Sequence, residues 1–239
     1  MVRKLDDMSL AESAQAAVGP REVRAASGRL AGTRALATRA RLLDCTRQLL
    51  AGRSYRDLTA IEIARECGTS PATFYQYFPD VESAVLTVAA ELAGHRGELS
   101  EIVRSANWRD RTAAETAARD LARAFMDFWG RHRSVLRVID LSSAEGDMRF
   151  RTLRTELLND VTNALAEAIA DVRDPRRPGH LGPGTDPMAV AAVLVSMLAH
   201  VASHREGLET WGIASADTEA VMADIVCEAV AGRPSRRGS

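Results

Sequence analysis

Hydroxyl, amide and aromatic side chains are concentrated in one short stretch of this sequence, from Thr69 to Tyr77. Ser70, Thr73 and Gln76 carry groups that hydrogen-bond to phosphate oxygens and base edges, and Tyr75 adds a ring with a hydroxyl. Small residues between them would let a helix approach a DNA major groove closely. The predicted DNA-contacting residues are Arg39, Thr59, Thr69, Ser70, Ala72, Thr73, Tyr75, Gln76 and Tyr77.

The flanking residues predict two short helices joined by a tight turn. Thr59 and Glu62 have the spacing of a capping box at the start of the first helix. Gly68 suits the left-handed position that ends such a helix. Ser70 is suited to cap the second helix, with Pro71 at its first position, where a missing N–H costs nothing.

The apolar residues of this stretch predict which sides of the two helices are buried. Phe74 and Phe78 are one turn apart, so both rings can point inward and leave the hydroxyl-bearing residues outside. This is the layout of a helix-turn-helix whose second helix enters the major groove. An ordinary helical hairpin produces the same pattern. The apolar side of the first helix is assigned to Ile61, Ile63, Ala64 and Cys67.

The same stretch resembles the N-terminal signature of the TetR family of one-component, ligand-responsive repressors. The match covers about residues 35 to 90 and rests on Thr59, Ile63-Ala64, Gly68, Ser70, Thr73-Phe74-Tyr75, Tyr77-Phe78 and Glu82. The resemblance implies an all-α fold with an N-terminal three-helix DNA-binding domain and a C-terminal helical domain for ligand binding and dimerisation. Val81 stands where the family usually has a lysine that touches phosphate, which puts one phosphate contact in doubt.

Charge is distributed unevenly along the chain. Residues up to Pro79 include 12 basic and 8 acidic residues, whereas the remainder has 19 basic and 24 acidic ones. A basic N-terminal part favours contact with phosphate, although a difference of this size also arises by chance. Arg39, Arg41 and Arg47 lie off the apolar stripe of the first helix and are candidates for that contact.

The chain divides into four predicted segments. The N-terminal arm lacks periodicity, and Arg21, Arg24, Arg29 and Arg34 either reach DNA or belong to a passive leader. The segments are a disordered arm at 1–33, a helix-turn-helix domain at 34–79, a helical ligand-binding and dimerisation domain at 80–232, and a disordered tail at 233–239.

Helical periodicity predicts the elements of an all-α protein, and no stretch alternates as a strand would. The first helix runs from Thr33 to about Ala51, with Leu36, Ala40, Leu43 and Leu50 on its buried face. The later helices are predicted at about 80–96 with an Asp80 cap, 98–104, 111–133, 134–146, 147–172, 188–207 and, capped by Asp217, up to Gly232.

Aromatic residues recur on one face of the helix at 111–133. Phe125, Phe128, Trp129 and His132 follow Leu121 at helical spacing. Such a stripe is more often core, but it also suits the wall of an apolar ligand pocket. The predicted effector-binding residues are Phe125, Phe128, Trp129, His132, Ile139, Met148, Leu153 and Met197.

The last two helices look like the dimer surface of the family. The helix from Met188 is apolar nearly all round and must be covered on several sides, and Val221, Ile225, Val226 and Ala229 mark an apolar side of the final helix. We therefore predict a homodimer through these two helices.

Residues suited to other chemistry are few. His200 and His204 are spaced for one face of a helix but have no evident third ligand, so no metal is predicted. Cys45, Cys67 and Cys227 lack the spacing of a disulfide framework and indicate reduced thiols of a cytoplasmic protein. No catalytic or nucleotide motif, cofactor or membrane span is predicted.

These patterns and the resemblance together predict a dimeric transcriptional repressor. It would bind a palindromic double-stranded DNA operator and be released by a small, mainly apolar effector in its C-terminal core. An activator would use the same DNA chemistry. The alternative from another class is a helical small-molecule carrier or enzyme with a vestigial helix-turn-helix.

Overall fold

The computed structural model describes residues 32–94, 97–174, 176 and 185–232. The predicted arm before residue 32, most of the stretch between the helices predicted at 147–172 and 188–207, and the predicted tail at 233–239 lie outside the described residues. All regular elements in the described ranges are helices, as the all-α prediction requires. Within the described residues no helix is both long and apolar enough to cross a membrane.

Ten α-helices and one 3-10 turn (Tyr55–Asp57) are found in this part of the chain. In chain order the α-helices are α1 Thr33–Gly52, α2 Ala60–Glu66, α3 Pro71–Tyr77, α4 Val81–Ala93, α5 Gly97–Ser105, α6 Arg111–Ala144, α7 Met148–Arg173, α8 Pro187–Ser203, α9 Arg205–Thr210 and α10 Ser215–Ala231.

The chain forms two compact units. Of the described residues, the first contains those up to Glu91 together with Val138–Leu153, and the second contains those of Leu92–Arg137 together with those from Arg154 onward. The helix-turn-helix therefore shares its unit with the end of α6 and the start of α7.

The core of the first unit is built by α1, α2 and α3, which contact one another in sequence. On α1 the buried residues are Leu42, Leu43, Thr46 and Leu50. The prediction that Leu36 and Ala40 lie on this buried face is wrong: Leu36 is 58% exposed and Ala40 is also exposed. Periodicity indicated the correct side of α1, but α2 and α3 cover only its later turns.

On α2 the buried side is formed by Ala60, Ile63 and Ala64. Ile61, which the sequence pattern assigns to it, is 64% exposed. It lies one residue, about 100° of rotation, from Ala60 and so falls outside the buried series spaced at three and four residues.

The core of the second unit is formed by aliphatic and aromatic side chains of α5, α6, α7, α8 and α10. The helices predicted at 111–133 and 134–146 are one helix, α6, with a non-helical backbone at His132 (φ −113°, ψ 16°). No proline interrupts this stretch, and Gly130 is tolerated inside the helix. The break predicted near Asn107 is present, and there Trp108 donates its indole N–H to the Val103 carbonyl at 2.9 Å.

The last helix begins earlier than predicted. It starts at Ser215 after Ala214, so Asp217 lies within its first turn and is not the cap. A carboxylate in that turn still interacts favourably with the helix dipole.

Gly68 provides the first test of local stability. Its φ of +66° is in the left-handed region, and a Cβ there would have Arg41 Nη2 as its nearest atom, at 3.9 Å. A Cβ at this position would meet no close atom, but the positive φ is unfavourable for any residue with a Cβ. Gly68→Ala is therefore expected to lower the free energy of unfolding by about 1–2 kcal/mol. Urea denaturation measures this value.

Gly52→Ala is the matched control. Gly52 is the last residue of α1, its φ is not positive, and no atom lies within 4 Å of the position that a Cβ would take there. Its replacement should leave stability unchanged or raise it by up to about 1 kcal/mol. Equal losses for both variants would contradict the role assigned to Gly68.

Candidate DNA interface and effector-binding residues

The turn between α2 and α3 is fixed by its caps. The Thr59 hydroxyl accepts from the Glu62 N–H at 3.2 Å, and the Glu62 carboxylate accepts from the Thr59 N–H at 3.1 Å, which completes the predicted capping box. Hydrogen bonds from the Thr59 hydroxyl and N–H, followed by Arg53, lower the pKa of the Glu62 carboxyl. The box is therefore complete at neutral pH, and its stabilisation is lost as pH falls through that lowered pKa.

Two phenylalanines anchor α3. Phe74 and Phe78 are 0% and 3% exposed, and their ring centroids are 5.6 Å apart. The Ser70 hydroxyl accepts from the Thr73 N–H at 3.2 Å and caps the helix, with Pro71 behind it. The predicted inward side of α3 is confirmed.

The outward side of α3 carries Ala72, Tyr75 and Gln76, all exposed. Tyr75 is 58% exposed, and its ring meets the Phe74 ring edge-on with centroids 5.6 Å apart. The buried ring thus supports the exposed one. These three side chains are the residues of α3 that are free to reach base edges in a major groove.

A third side of α3 faces a groove. Thr69, Thr73 and Tyr77 recur at every fourth residue, are half-buried, and line an open groove of about 620 Å³. From α1, Arg34 and Arg41 line the same groove. Hydroxyls beside guanidinium groups are suited to a phosphate of the DNA backbone.

The arginines of α1 differ in the partners that their guanidinium groups already have within the first unit. Arg47 pairs with Asp44 and Glu91, so two carboxylates already balance its charge. The Arg39 guanidinium lies 5.3 Å from the centroid of the Phe78 ring, where it braces α3. Arg41 donates to the Cys67 carbonyl at 2.6 Å. Arg34 is exposed and has no ion pair with any described residue.

From the sequence, Arg34 and Arg41 are both candidates for phosphate contact, although neither belongs to the set of DNA-contacting residues predicted above. The two are seven residues apart, which places them on the same side of α1. That spacing was the available signal, but only the structure shows that this side borders α3.

The corner between α6 and α7 also belongs to the first unit. Glu145 pairs with Arg56, and Arg149 pairs with Glu82 at the start of α4. Arg149 also contacts Asp147 at 2.7 Å. The hydrogen bond from Arg149 is the largest of the effects that lower the pKa of the Asp147 carboxyl.

Aromatic packing supports this corner from within the first unit. The Tyr55 and Phe150 ring centroids are 6.3 Å apart, and Phe150 is fully buried. The corner is therefore held by apolar packing as well as by exposed charges.

The predicted effector-binding residues separate between the two units. Ile139, Met148 and Leu153 belong to the first unit, and the others belong to the second. Ile139 and Leu153 are buried, whereas Met148 is 61% exposed, so most of its side chain lies outside the packed core. It lies in the first turn of α7, where the neighbouring residues are charged. In the second unit Met197 is half-buried.

The aromatic stripe of α6 is packed closely in the second unit. Phe125 and Trp129 are stacked with centroids 5.4 Å apart, and Phe128 contacts both Trp129 and His132. Trp129 is 5% exposed, and its indole N–H has no partner among the described residues. Leaving such a buried donor unpaired costs about 1–3 kcal/mol.

The cysteines and the histidine pair show no further site. All three cysteines are free, and burial, followed by the neighbouring Cys67 thiol, raises the pKa of Cys45 to about 11. The rings of His200 and His204 are stacked 4.1 Å apart, and the described residues contain no group of three metal ligands.

Comparison with known proteins gives two family matches. Residues 99–237 match the family described as "Tetracyclin repressor-like, C-terminal domain", and residues 42–83 match "Bacterial regulatory proteins, tetR family". An uncharacterized HTH-type transcriptional regulator of Haemophilus influenzae is 30% identical over 145 residues, which are 59% of this chain and 69% of that protein.

Solved structures share the fold at lower identity. The regulator FadR from Bacillus subtilis, in complex with stearoyl-CoA, has a TM-score of 0.60 at 14% identity, over 82% of this chain and 99% of that one. The repressor FadR from Thermus thermophilus, in complex with lauroyl-CoA, has a TM-score of 0.51 at 20% identity, over 84% of this chain and 97% of that one.

The groove beside α3 leads to a prediction about salt dependence. Arg34→Met should reduce the slope of log affinity for DNA against log salt by about 1 per protomer, because one phosphate contact is lost. Arg47→Met removes the same charge from the same helix, but that charge is already paired, so its slope should stay near that of the wild type. Fluorescence anisotropy at several salt concentrations measures both. Identical slopes for Arg34→Met and the wild type would exclude Arg34 from the interface.

Proposed function

Because this chain belongs to the TetR family of transcriptional regulators, we propose that it is a repressor that binds a palindromic DNA operator as a homodimer. A small, mainly apolar effector releases it. The observation that carries the proposal is the exposed side of α3, where Ala72, Tyr75 and Gln76 project from a helix anchored by two buried phenylalanines.

Two kinds of DNA contact follow from the geometry of α3. The outward side supplies base contacts, and the groove side, with Arg34 and Arg41, supplies phosphate contacts. A good bidentate base contact discriminates by about 1–3 kcal/mol, so one seven-residue helix reads too little for a specific site. Two copies related by a two-fold axis double that contribution, which is why we propose a palindromic operator.

The proposed dimer surface lies on α8 and α10, which contact each other in the second unit. Val193 and Val221 are 69% and 58% exposed, and Met188 and Ile225 are more than two-fifths exposed. Several exposed apolar side chains on two neighbouring helices favour burial against a second copy of the same surface. The sequence predicts that α8 is covered on several sides, and the side that bears Met188 and Val193 is exposed in the single chain.

The proposed effector is a fatty acyl compound. Two observations support this class: the apolar cluster of Phe125, Phe128 and Trp129 in the second unit, and the acyl-CoA molecules bound by two proteins of the same fold. The effector must bind the released form more tightly than the DNA-bound form, and the shift cannot exceed that difference in affinity.

The proposed reading side of α3 predicts the effect of removing Tyr75. Tyr75→Ala should lower affinity about tenfold or more for an operator selected from a random DNA library, because both protomers lose a contact. Met148→Ala, which removes a side chain of similar exposure from the same unit, should leave affinity unchanged. Gel shifts and sedimentation of each variant separate DNA affinity from dimerisation.

The same assay discriminates the regulator from a carrier or enzyme with a vestigial helix-turn-helix. Specific, salt-dependent binding with release by lauroyl-CoA supports the proposal. Weak binding to every DNA, with no enriched sequence after selection, would support the alternative.

The proposed dimer surface predicts the effect of a buried charge. Val193→Asp should weaken self-association at least about tenfold, because each copy would place an unpaired carboxylate in an apolar contact. Leu36→Asp, at a residue 58% exposed on α1, should have no effect on it. Analytical ultracentrifugation measures both, and an unchanged dimer for Val193→Asp would move the interface elsewhere.

A further inference from the structure

The two buried tryptophans of the second unit differ in one respect. Trp108 and Trp129 are both 5% exposed. The Trp108 indole N–H reaches the Val103 carbonyl at 2.9 Å, whereas the Trp129 indole N–H has no acceptor among the described residues. Buried side-chain donors are nearly always paired, so Trp129 requires an explanation.

The Trp129 ring is held in place by its neighbours. It is stacked on Phe125 with an angle of 17° between planes, and the Phe128 ring packs against it at 56°. Turning the indole toward another partner would break both contacts. The donor is therefore fixed in direction before any acceptor arrives, as a preorganised binding group is.

The backbone of α6 is irregular in the same turn. Three residues after Trp129, His132 departs from helical geometry, and its ring lies 4.9 Å from that of Phe128. An unpaired donor and a local break in a helix both cost stability. Two destabilising features within one helical turn, here the unpaired indole N–H and the irregular backbone, are typical of functional sites.

We propose that the Trp129 indole N–H donates a hydrogen bond to the carbonyl oxygen at the head of the effector's acyl chain. Indole nitrogen is a donor only, so the ligand must supply the acceptor. The flanking phenylalanines offer apolar surface to the adjoining methylene groups. This inference rests on the proposed function, because it names the chemical group that the effector presents. A thioester and a free fatty acid share that group.

The experiment compares ligands that differ in one oxygen. Lauroyl-CoA and its thioether analogue S-dodecyl-CoA have the same chain length and nucleotide, but only the former has the carbonyl. The wild-type protein should bind lauroyl-CoA about fivefold more tightly by isothermal titration calorimetry, the gain expected from one added hydrogen bond. In Trp129→Phe this preference should disappear. Dodecanoate, tested in parallel, distinguishes the free acid from the thioester as the natural source.

Trp108→Phe is the matched control. It removes an indole N–H from an equally buried tryptophan of the same unit, so it should keep the preference for lauroyl-CoA. Without ligand it should melt at a lower temperature than the wild type, because it leaves the Val103 carbonyl unpaired. Trp129→Phe removes the same ring volume but leaves no acceptor unpaired, so it should melt at a higher temperature than Trp108→Phe.

The chemical shift of the Trp129 indole N–H tests the hydrogen bond directly. In ¹H–¹⁵N spectra, the Trp129 indole resonance should move downfield with lauroyl-CoA and not with S-dodecyl-CoA. If both compounds bind and Trp129→Phe keeps the wild-type preference, the inference is wrong while the acyl effector stands. If no acyl compound binds the wild-type protein, both the effector class and this inference are overturned.

Discussion

The position of α3 depends on the burial of Phe74 and Phe78. A helix of seven residues has almost no stability of its own in water, since nucleation costs more than so few hydrogen bonds return. Burying each phenylalanine contributes about 1.5–3 kcal/mol, more than the Ser70 cap contributes. The two rings therefore decide both that α3 forms and how it is rotated. A rotation by one residue, about 100°, would bring Tyr75 into the core and remove the outward side on which the proposed DNA contacts are placed.

The basic residues of the first unit differ in whether nearby groups already interact with their charges. The N-terminal part of the sequence is basic, but Arg47 and Arg53 are paired with carboxylates of the first unit, and Arg39 lies over the Phe78 ring. A count of basic residues therefore overstates the number of phosphates the protein can neutralise. The groove beside α3 brings Arg34 and Arg41 next to hydroxyl groups, which offers a phosphate contact in place of the one that Val81 cannot make.

Sequence reasoning succeeded where the determinants are local. The capping box at Thr59, the left-handed Gly68 and the cap at Ser70 each involve atoms within a few residues, and the structure contains all three. Sequence reasoning failed where the burial of a side chain depends on helices that are distant in the chain. Periodicity placed Leu36 on an apolar face, yet that side chain stays exposed on its turn of α1. The grouping of Val138–Leu153 with the helix-turn-helix depends on contacts between segments far apart in the chain, which no local pattern encodes.

The corner of Val138–Leu153 shares the first unit with the helix-turn-helix and is held by exposed ion pairs and by apolar packing. The pairs Arg56–Glu145 and Arg149–Glu82 are exposed, and exposed ion pairs contribute about 0–1 kcal/mol each. The Tyr55–Phe150 contact adds about 0.5–1.5 kcal/mol. Apolar burial outweighs these pairwise contributions, since the fully buried Phe150 side chain alone contributes about 1.5–3 kcal/mol. α6 and α7 each run from this corner into the second unit, so these helices form a covalent path through which the proposed effector would influence the helix-turn-helix.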